Sequence, residues 1–169
     1  QKERDLLMSI RTRADILIDS TGSTVHDTRA EVDKWFGPSN GRFLGVTVHS
    51  FSYKRGLPRG LDIVMDCRFL RNPHWDVALR ELDGRDAAVA AYVVADQRFE
   101  PFFGKIKGLV DLLLPAHKDE GKTHLSIGFG CTGGQHRSVT VAERLVEALA
   151  QDDWQVSKSC LLYTSDAAD

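Results

Sequence analysis

The sequence has few cysteines, no long apolar run and almost no net charge. Its three cysteines, Cys67, Cys131 and Cys160, are too few for a disulfide-rich secreted domain, and their spacing matches no metal site. No segment has the run of about 18 apolar residues that a membrane helix needs. The 22 basic and 24 acidic residues nearly cancel, so charge alone does not indicate a nucleic-acid binder. We therefore expect a cytoplasmic protein domain without a membrane segment or a bound metal.

Nucleotide-binding and targeting motifs are also missing. The string G-x-x-x-x-G-K-[ST], which cradles nucleotide phosphates, does not occur. The chain starts at Gln1 within a helical apolar pattern, with neither an initiator Met nor a signal peptide. Residues 160–169 resemble the translation of a sequencing adapter, and we exclude them from the fold. We therefore expect a fragment that holds no nucleotide cofactor.

Apolar periodicity predicts strands that alternate with helices. Strands are predicted at 43–50, 63–69, 124–129 and near Trp154, and helices at 87–94, 102–114 and 135–150. A helix, a strand at 16–19 and a helix at about 26–36, with Thr24 as its N-cap, precede a boundary at 37–41. This order predicts an α/β fold with a mixed, mostly parallel sheet and helices on both faces. The aromatic residues Trp75, Phe99, Phe102 and Phe103 are predicted to lie in the core.

The segment 127–139 joins a strand pattern to a helix pattern through a glycine-rich loop, residues 131–136. Backbone N–H groups at a helix start, the positive end of the helix dipole and the cation of Arg137 favour an anionic ligand there. Gly133 and Gly134 allow unusual backbone angles and the close approach of a ligand. The loop is therefore predicted to bind a phosphate group between a strand and a helix.

A phosphatase is one alternative for this loop. Five residues separate Cys131 from Arg137, and Ser138 follows directly after Arg137. This spacing resembles that of cysteine-dependent phosphatases, whose nucleophile is a helix-start thiolate. Gly130 stands where those enzymes usually carry a His, and no general-acid Asp is identified. Catalysis is therefore not expected.

Two binding alternatives also remain. Gly128, Gly130 and Gly133 match the dinucleotide pattern G-x-G-x-x-G, but too little chain follows for a nucleotide-binding half. The basic pair Lys54 and Arg55 is compatible with contact to an RNA backbone, although a solvated surface explains such a pair equally well.

Three segments in the same order resemble one known family. They read SFSYKRGLP at 50–58, DCRFLRNPHW at 66–75 and GCTGGQHRS at 130–138, and they are similar to the RapZ and YvcJ family of bacterial RNase adapter and nucleotide-binding proteins. The segment 14–20 resembles the closing strand of that family's ATP/GTP-binding domain. The resemblance implies that residues 1–37 end a P-loop NTPase domain and that residues 38–159 form a ligand-sensing domain. ATP and GTP would then bind only to full-length relatives.

The resemblance also implies a ligand and partners. The ligand is glucosamine-6-phosphate, whose phosphate suits the loop and Arg137, and whose amine and hydroxyls suit acceptors such as Asp66 and His74. The implied partners are an RNase or another regulatory protein, with a small RNA, and full-length relatives are expected to be homo-oligomers. The implied ligand-binding residues are Asp66, His74, Cys131, Thr132, Gly133, Gly134, His136, Arg137 and Ser138.

Each of these residues also has a structural alternative. Asp66 could pair with Arg68, and His74 could cap a turn or pack beside Trp75. Cys131 could be a small buried residue at a helix start. Arg137 could donate to carbonyls of a neighbouring loop. These alternatives predict contacts within the chain in place of contacts to a ligand.

Overall fold

The computed structural model describes residues 44–160, together with residues 24, 25, 28, 29 and 32. The chain divides into two compact units, Gln1–Phe43 and Leu44–Asp169. The strand predicted at 16–19 and the adapter-like residues 161–169 lie outside the described residues. In the first unit the N–H of Thr28 donates to the carbonyl of Thr24 at 3.0 Å, which is a turn at the start of the helix predicted there.

The described part of the second unit is built on a sheet of four parallel strands. They are β1 (Gly45–Ser52), β2 (Ile63–Asp66), β3 (His124–Cys131) and β4 (Val156–Cys160), in the order β2-β3-β1-β4. The α/β class is confirmed, and every pairing is parallel where a mixed, mostly parallel sheet was predicted. Strand β3 is buried from its second residue onward, as expected of an inner strand of a parallel sheet.

Within residues 44–160, three helices accompany the sheet: α1 (Ala87–Val94), α2 (Phe99–Glu120) and α3 (Arg137–Gln151). Helix α3 packs against β1, β3 and β4. The core side chains of β1 and β3 stand side by side in register on one face, Val46 beside Leu125 and Val48 beside Ile127. Among the described residues no helix is long and apolar enough to cross a membrane.

Two strands have other boundaries than predicted, because turns form within the predicted ranges. Strand β2 stops at Asp66 instead of residue 69, since the N–H of Arg68 donates to the Asp66 carboxylate at 2.8 Å. The last strand starts at Val156 instead of near Trp154, whose N–H donates to Leu149 at 3.1 Å and so belongs to the turn after α3. Strand β1 covers 45–52 in place of 43–50.

Helix α2 is longer at both ends than the predicted 102–114. Pro101 lies in its first turn, where a missing N–H costs no helical hydrogen bond. The helix then passes through Pro115 and ends at Glu120, where the N–H groups of Gly121 and Lys122 turn back to earlier carbonyls.

Candidate ligand-binding loop

The carboxyl ends of β1, β2 and β3 meet at the glycine-rich loop. The Ser52 hydroxyl donates to the carbonyl of Thr132 at 2.9 Å, and the Lys54 N–H donates to the same oxygen at 3.3 Å. The N–H of Cys67 donates to the carbonyl of Gly130 at 2.8 Å. The three sequence segments that carried the family resemblance therefore come together, at the sheet edge where parallel α/β folds bind ligands.

The two glycines at the centre of the loop have different surroundings. Gly134 has a φ of 69°, and an added Cβ would lie 2.9 Å from the backbone of both Phe51 and Ser52. Gly133 has open space, with no described atom within 4 Å of an added Cβ. Gly134 therefore fits the loop against β1, while the space around Gly133 is open.

Arg137 is buried and donates to the chain itself. The residue is only 6 % exposed. Its Nη1 donates to the carbonyl of Arg68 at 2.6 Å and to that of Leu70 at 3.2 Å. Within the described part of the chain its Nε has no hydrogen-bond partner. The guanidinium therefore connects the segment after β2 to the start of α3 by hydrogen bonds. This is the alternative in which Arg137 donates to carbonyls of a neighbouring loop.

Asp66 forms a bidentate ion pair with Arg68 at the exposed edge of the site. Its carboxylate accepts from Nη2 at 2.6 Å and from Nε at 2.9 and 3.0 Å. These hydrogen bonds hold the pKa of Asp66 below its usual range. The Arg68 guanidinium lies 4.2 Å from the centre of the Tyr53 ring. Both side chains of the pair remain about half exposed, at 41 % for Asp66 and 50 % for Arg68.

Cys131 and Ser138 are packed against each other inside the protein. Their Sγ and Oγ atoms are 3.2 Å apart, and the residues are 3 % and 0 % exposed. Cys67 is buried as well, and this burial raises the pKa of its thiol. A nucleophile must reach the phosphorus atom that it attacks, so this arrangement does not favour the phosphatase alternative.

His136 connects the loop to His74 through one arginine. Nε2 of His136 lies 3.1 Å from the carbonyl of Arg80, and Nε of Arg80 donates to the carbonyl of His74 at 3.1 Å. The His74 ring is exposed and packs edge-on against Trp75, with centroids 5.6 Å apart. Trp75 is 77 % exposed, so its predicted core position is wrong, because the turn at 73–75 buries Pro73 and directs the indole outward.

Residues 44–160, which include all of these contacts, match the family model described as the RapZ C-terminal domain. The chain belongs to this family. It is 62 % identical over 156 residues to a nucleotide-binding protein of Dinoroseobacter shibae, covering 92 % of this chain and 52 % of the relative. It is 59 % identical over 157 residues to one of Ruegeria pomeroyi, covering 93 % and 55 %. The chain spans about half the length of the curated relatives it matches.

In this RapZ C-terminal domain the loop is held by residues that the sequence did not identify. The Gln135 side-chain amide donates to the carbonyl of Leu82 at 2.8 Å, and the backbone carbonyl of Gln135 accepts from the N–H of Gly84 at 2.9 Å. The Thr140 hydroxyl donates to the carbonyl of Gly84 at 3.1 Å. The segment 80–84 is therefore tied to the first turn of α3. Two of these contacts join a side chain to a distant backbone carbonyl and one joins two backbone groups, and no sequence motif marks them.

A cavity of about 620 Å³ lies beside the predicted loop. It opens between β1, β4 and α3, and its wall includes Gln135, whereas none of the nine predicted ligand-binding residues lines it. Its rim carries the ion pairs of Arg85 with Asp83 and of Lys158 with Glu143. In the described part of the chain, this cavity is therefore separate from the predicted ligand-binding loop.

The dinucleotide pattern does not form the turn that it requires. Gly128 and Gly130 both lie within strand β3, and only Gly133 is in the loop. In the described part of the RapZ C-terminal domain, no group of three or more His, Cys, Asp or Glu side chains could hold a metal ion. The glycine-rich loop, with the Asp66–Arg68 ion pair near it, is therefore the candidate site.

Proposed function

We propose that this chain is the ligand-sensing domain of a cytoplasmic RNase adapter protein. In this proposal it binds glucosamine-6-phosphate at the glycine-rich loop without turning it over. Occupancy then determines whether the adapter engages an RNase with a small RNA or another regulatory protein. Membership of the RapZ C-terminal domain family supports the adapter role. The observation that carries the ligand proposal is the exposed Asp66–Arg68 pair beside the open side of the loop.

The chemistry of the two halves of the ligand fits this arrangement. A phosphate is favoured by the N–H groups and dipole at the start of α3, and by a cation that is still accessible to solvent. Arg68 is such a cation, because Asp66 engages only one side of its guanidinium through Nε and Nη2. The ammonium group of the sugar would share the Asp66 carboxylate with Arg68. An amino sugar should therefore bind more tightly than the same sugar with a hydroxyl group.

The relatives named nucleotide-binding proteins are about twice as long as the matched chain. We propose that their nucleotide, ATP or GTP, binds to the part that this chain lacks. A sensor acts on such a partner domain only if the metabolite binds two states of the protein with different affinities.

Calorimetric titration of the whole chain with glucosamine-6-phosphate tests the ligand proposal. Glucose-6-phosphate and inorganic phosphate serve as comparison ligands. We expect the amino sugar to bind most tightly, and Asp66→Asn to weaken its binding about tenfold or more, since hydrogen bonds to charged groups are worth about 1.5–3 kcal/mol. Binding of inorganic phosphate should change little in this variant.

Asp83→Asn is the matched control. Asp83 forms the same kind of ion pair, with an arginine two residues later, but it lines the cavity. If Asp83→Asn weakens binding and Asp66→Asn does not, the ligand occupies the cavity and the loop site is refuted. If the folded chain binds none of the three compounds, the sensing proposal itself is wrong.

A further inference from the structure

Apolar side chains form part of the wall of the cavity between β1, β4 and α3. Its volume of about 620 Å³ lies in the range of about 300–1,000 Å³ that small-molecule sites have. Val48 of β1 and Val139 and Ala142 of α3 line it, and each is 6 % exposed or less. Such side chains favour the aliphatic part of a ligand, because the contact removes apolar surface from water.

A buried hydroxyl group belongs to the same wall. Ser50 is 4 % exposed and lines the cavity together with Val48, two residues earlier on the same face of β1. The hydroxyl of Ser52 donates to a carbonyl of the glycine-rich loop, whereas the Ser50 hydroxyl has no hydrogen-bond partner among residues 44–160. A buried polar group without a partner is costly, so a hydrogen bond from a ligand to Ser50 would be favourable.

Gln135 adds a second acceptor. Its side-chain nitrogen donates to the carbonyl of Leu82 at 2.8 Å and lies 3.4 Å from the carbonyl of Arg80. Because both neighbours are carbonyls, the amide nitrogen must face them, and the amide oxygen takes no part in the hydrogen bonds of the described segment. Gln135 lines the cavity, so this oxygen is available to a donor there.

The two ion pairs of the cavity place their carboxylates deeper than their cations. The Asp83 side chain is 28 % exposed and that of its partner Arg85 is 62 % exposed. Glu143 is likewise 23 % exposed, against 58 % for Lys158. A ligand that passes the rim therefore meets carboxylate oxygens before it meets another cation.

Asp86 is a further carboxylate of the wall, directly before α1. Its Oδ2 accepts from the N–H of Asp83 at 2.8 Å, and within the described part of the chain it forms no ion pair. Four carboxylates and three cations line the cavity in all. The charge of the wall therefore favours a cationic ligand over an anionic one.

We propose that this cavity binds an aliphatic diamine or polyamine. An ammonium group has three N–H donors, and one end of the ligand donates them to the Ser50 hydroxyl, the Gln135 amide oxygen and the Asp86 carboxylate. The methylene chain lies against the apolar wall, and the second ammonium group meets the Glu143 carboxylate on α3. This inference concerns the cavity and does not rest on the ligand proposed for the glycine-rich loop.

Calorimetric titration of the whole chain with putrescine, a four-carbon diamine, tests the class of ligand. Butanediol has the same carbon chain without charge, and succinate has it with carboxylates. We expect putrescine to bind and the other two compounds not to bind at about 150 mM salt, where exposed charges are screened. Putrescine binding should be unchanged in Asp66→Asn, since Asp66 does not line the cavity.

Two variants test the contacts. Asp86→Asn and Ser50→Ala should each weaken putrescine binding about tenfold, because each removes a hydrogen bond to an ammonium group. Asp76→Asn is the matched control: its carboxylate also accepts from a backbone N–H, that of Ala78 at 3.0 Å, but it lies outside the cavity. Circular dichroism establishes that the variants are folded.

Three results overturn the proposal. The first is a folded chain that binds no putrescine up to millimolar concentration. The second is binding of butanediol or succinate as tight as that of putrescine. The third is putrescine binding in Asp86→Asn or Ser50→Ala as tight as in Asp76→Asn.

Discussion

Gly84 is the residue at which the close contact between the segment 80–84 and helix α3 can be tested most directly. Its backbone lies so close to α3 that an added Cβ would overlap the carbonyl oxygen of His136 and lie 2.6 Å from the nitrogen of Thr140. Both neighbours are backbone atoms of the first turn of a packed helix, so neither can rotate away. Gly84→Ala must therefore separate the segment from the helix.

The cost follows from the contacts that this separation strains. Overpacking of a close contact typically costs about 1–3 kcal/mol. The hydrogen bonds from Gly84 to Gln135 and from Thr140 to Gly84 contribute about 0.5–1.5 kcal/mol each. We expect the free energy of unfolding to fall by about 3 kcal/mol. With a denaturant dependence of about 2 kcal/mol per molar urea, the unfolding midpoint should fall by about 1.5 M.

Urea unfolding of the whole chain, followed by far-ultraviolet circular dichroism, measures this change. Gly133→Ala is the control, because the described atoms leave open space around that glycine and its φ is not positive. It should shift the free energy of unfolding by less than about 0.5 kcal/mol. If Gly84→Ala unfolds at the same urea concentration as Gly133→Ala, the described contact between the segment 80–84 and α3 is wrong.

Three further variants test other contacts by the same unfolding assay. Gly134→Ala should cost about 2 kcal/mol, because it combines a φ of 69° with overlap against the backbone of Ser52. Arg137→Lys should cost about 1–2 kcal/mol, since lysine cannot keep both carbonyl hydrogen bonds with the same geometry. Asp96 has a pKa well below its usual range because the Arg98 side chain donates to it, so the unfolded chain binds the proton more strongly than the folded chain. The stability that Asp96 contributes is therefore present above about pH 4 and is lost as the pH falls below it. The difference in free energy of unfolding between Asp96→Asn and the unmodified chain should shrink as the pH is lowered from neutral to about 3.

Periodicity predicted the inner parts of the fold well and its borders less well. Strand β3 follows its apolar pattern closely, since it is buried from its second residue onward. Helix α1 has the predicted bounds, 87–94, with Val89 and Val93 on its buried side. The ends of β2 and α2 depend instead on hydrogen bonds from single side chains. Asp96, for example, accepts from the N–H groups of both Arg71 and Arg98 just before α2 begins. A lone aspartate in the sequence does not show which backbone groups it will meet.

The candidate site could be predicted to the level of its loops but not of its contacts. Strand order places the segments after β1, β2 and β3 on one edge, and this follows from parallel pairing. Arg68 was not among the predicted site residues, although an aspartate two residues before an arginine occurs four times, with Arg29, Arg68, Arg85 and Arg98. The pairs of Arg68, Arg85 and Arg98 form the same hydrogen-bonded ring. Only the structure shows which of these pairs lies beside the glycine-rich loop.

One continuous motif therefore contains both supporting residues and exposed residues, and this decides which variants are informative. Cys131, His136 and Arg137 are buried and bonded to the chain's own atoms. Substituting one of them would disturb the loop even if it never touched a ligand, so loss of binding would not identify a contact. The Asp66 side chain is half exposed and lies outside the motif, and replacing its carboxylate by an amide keeps its shape. Discrimination between an amino sugar and its hydroxyl analogue in Asp66→Asn therefore reports on recognition, whereas loss of all binding in an Arg137 variant reports only that the loop must be intact.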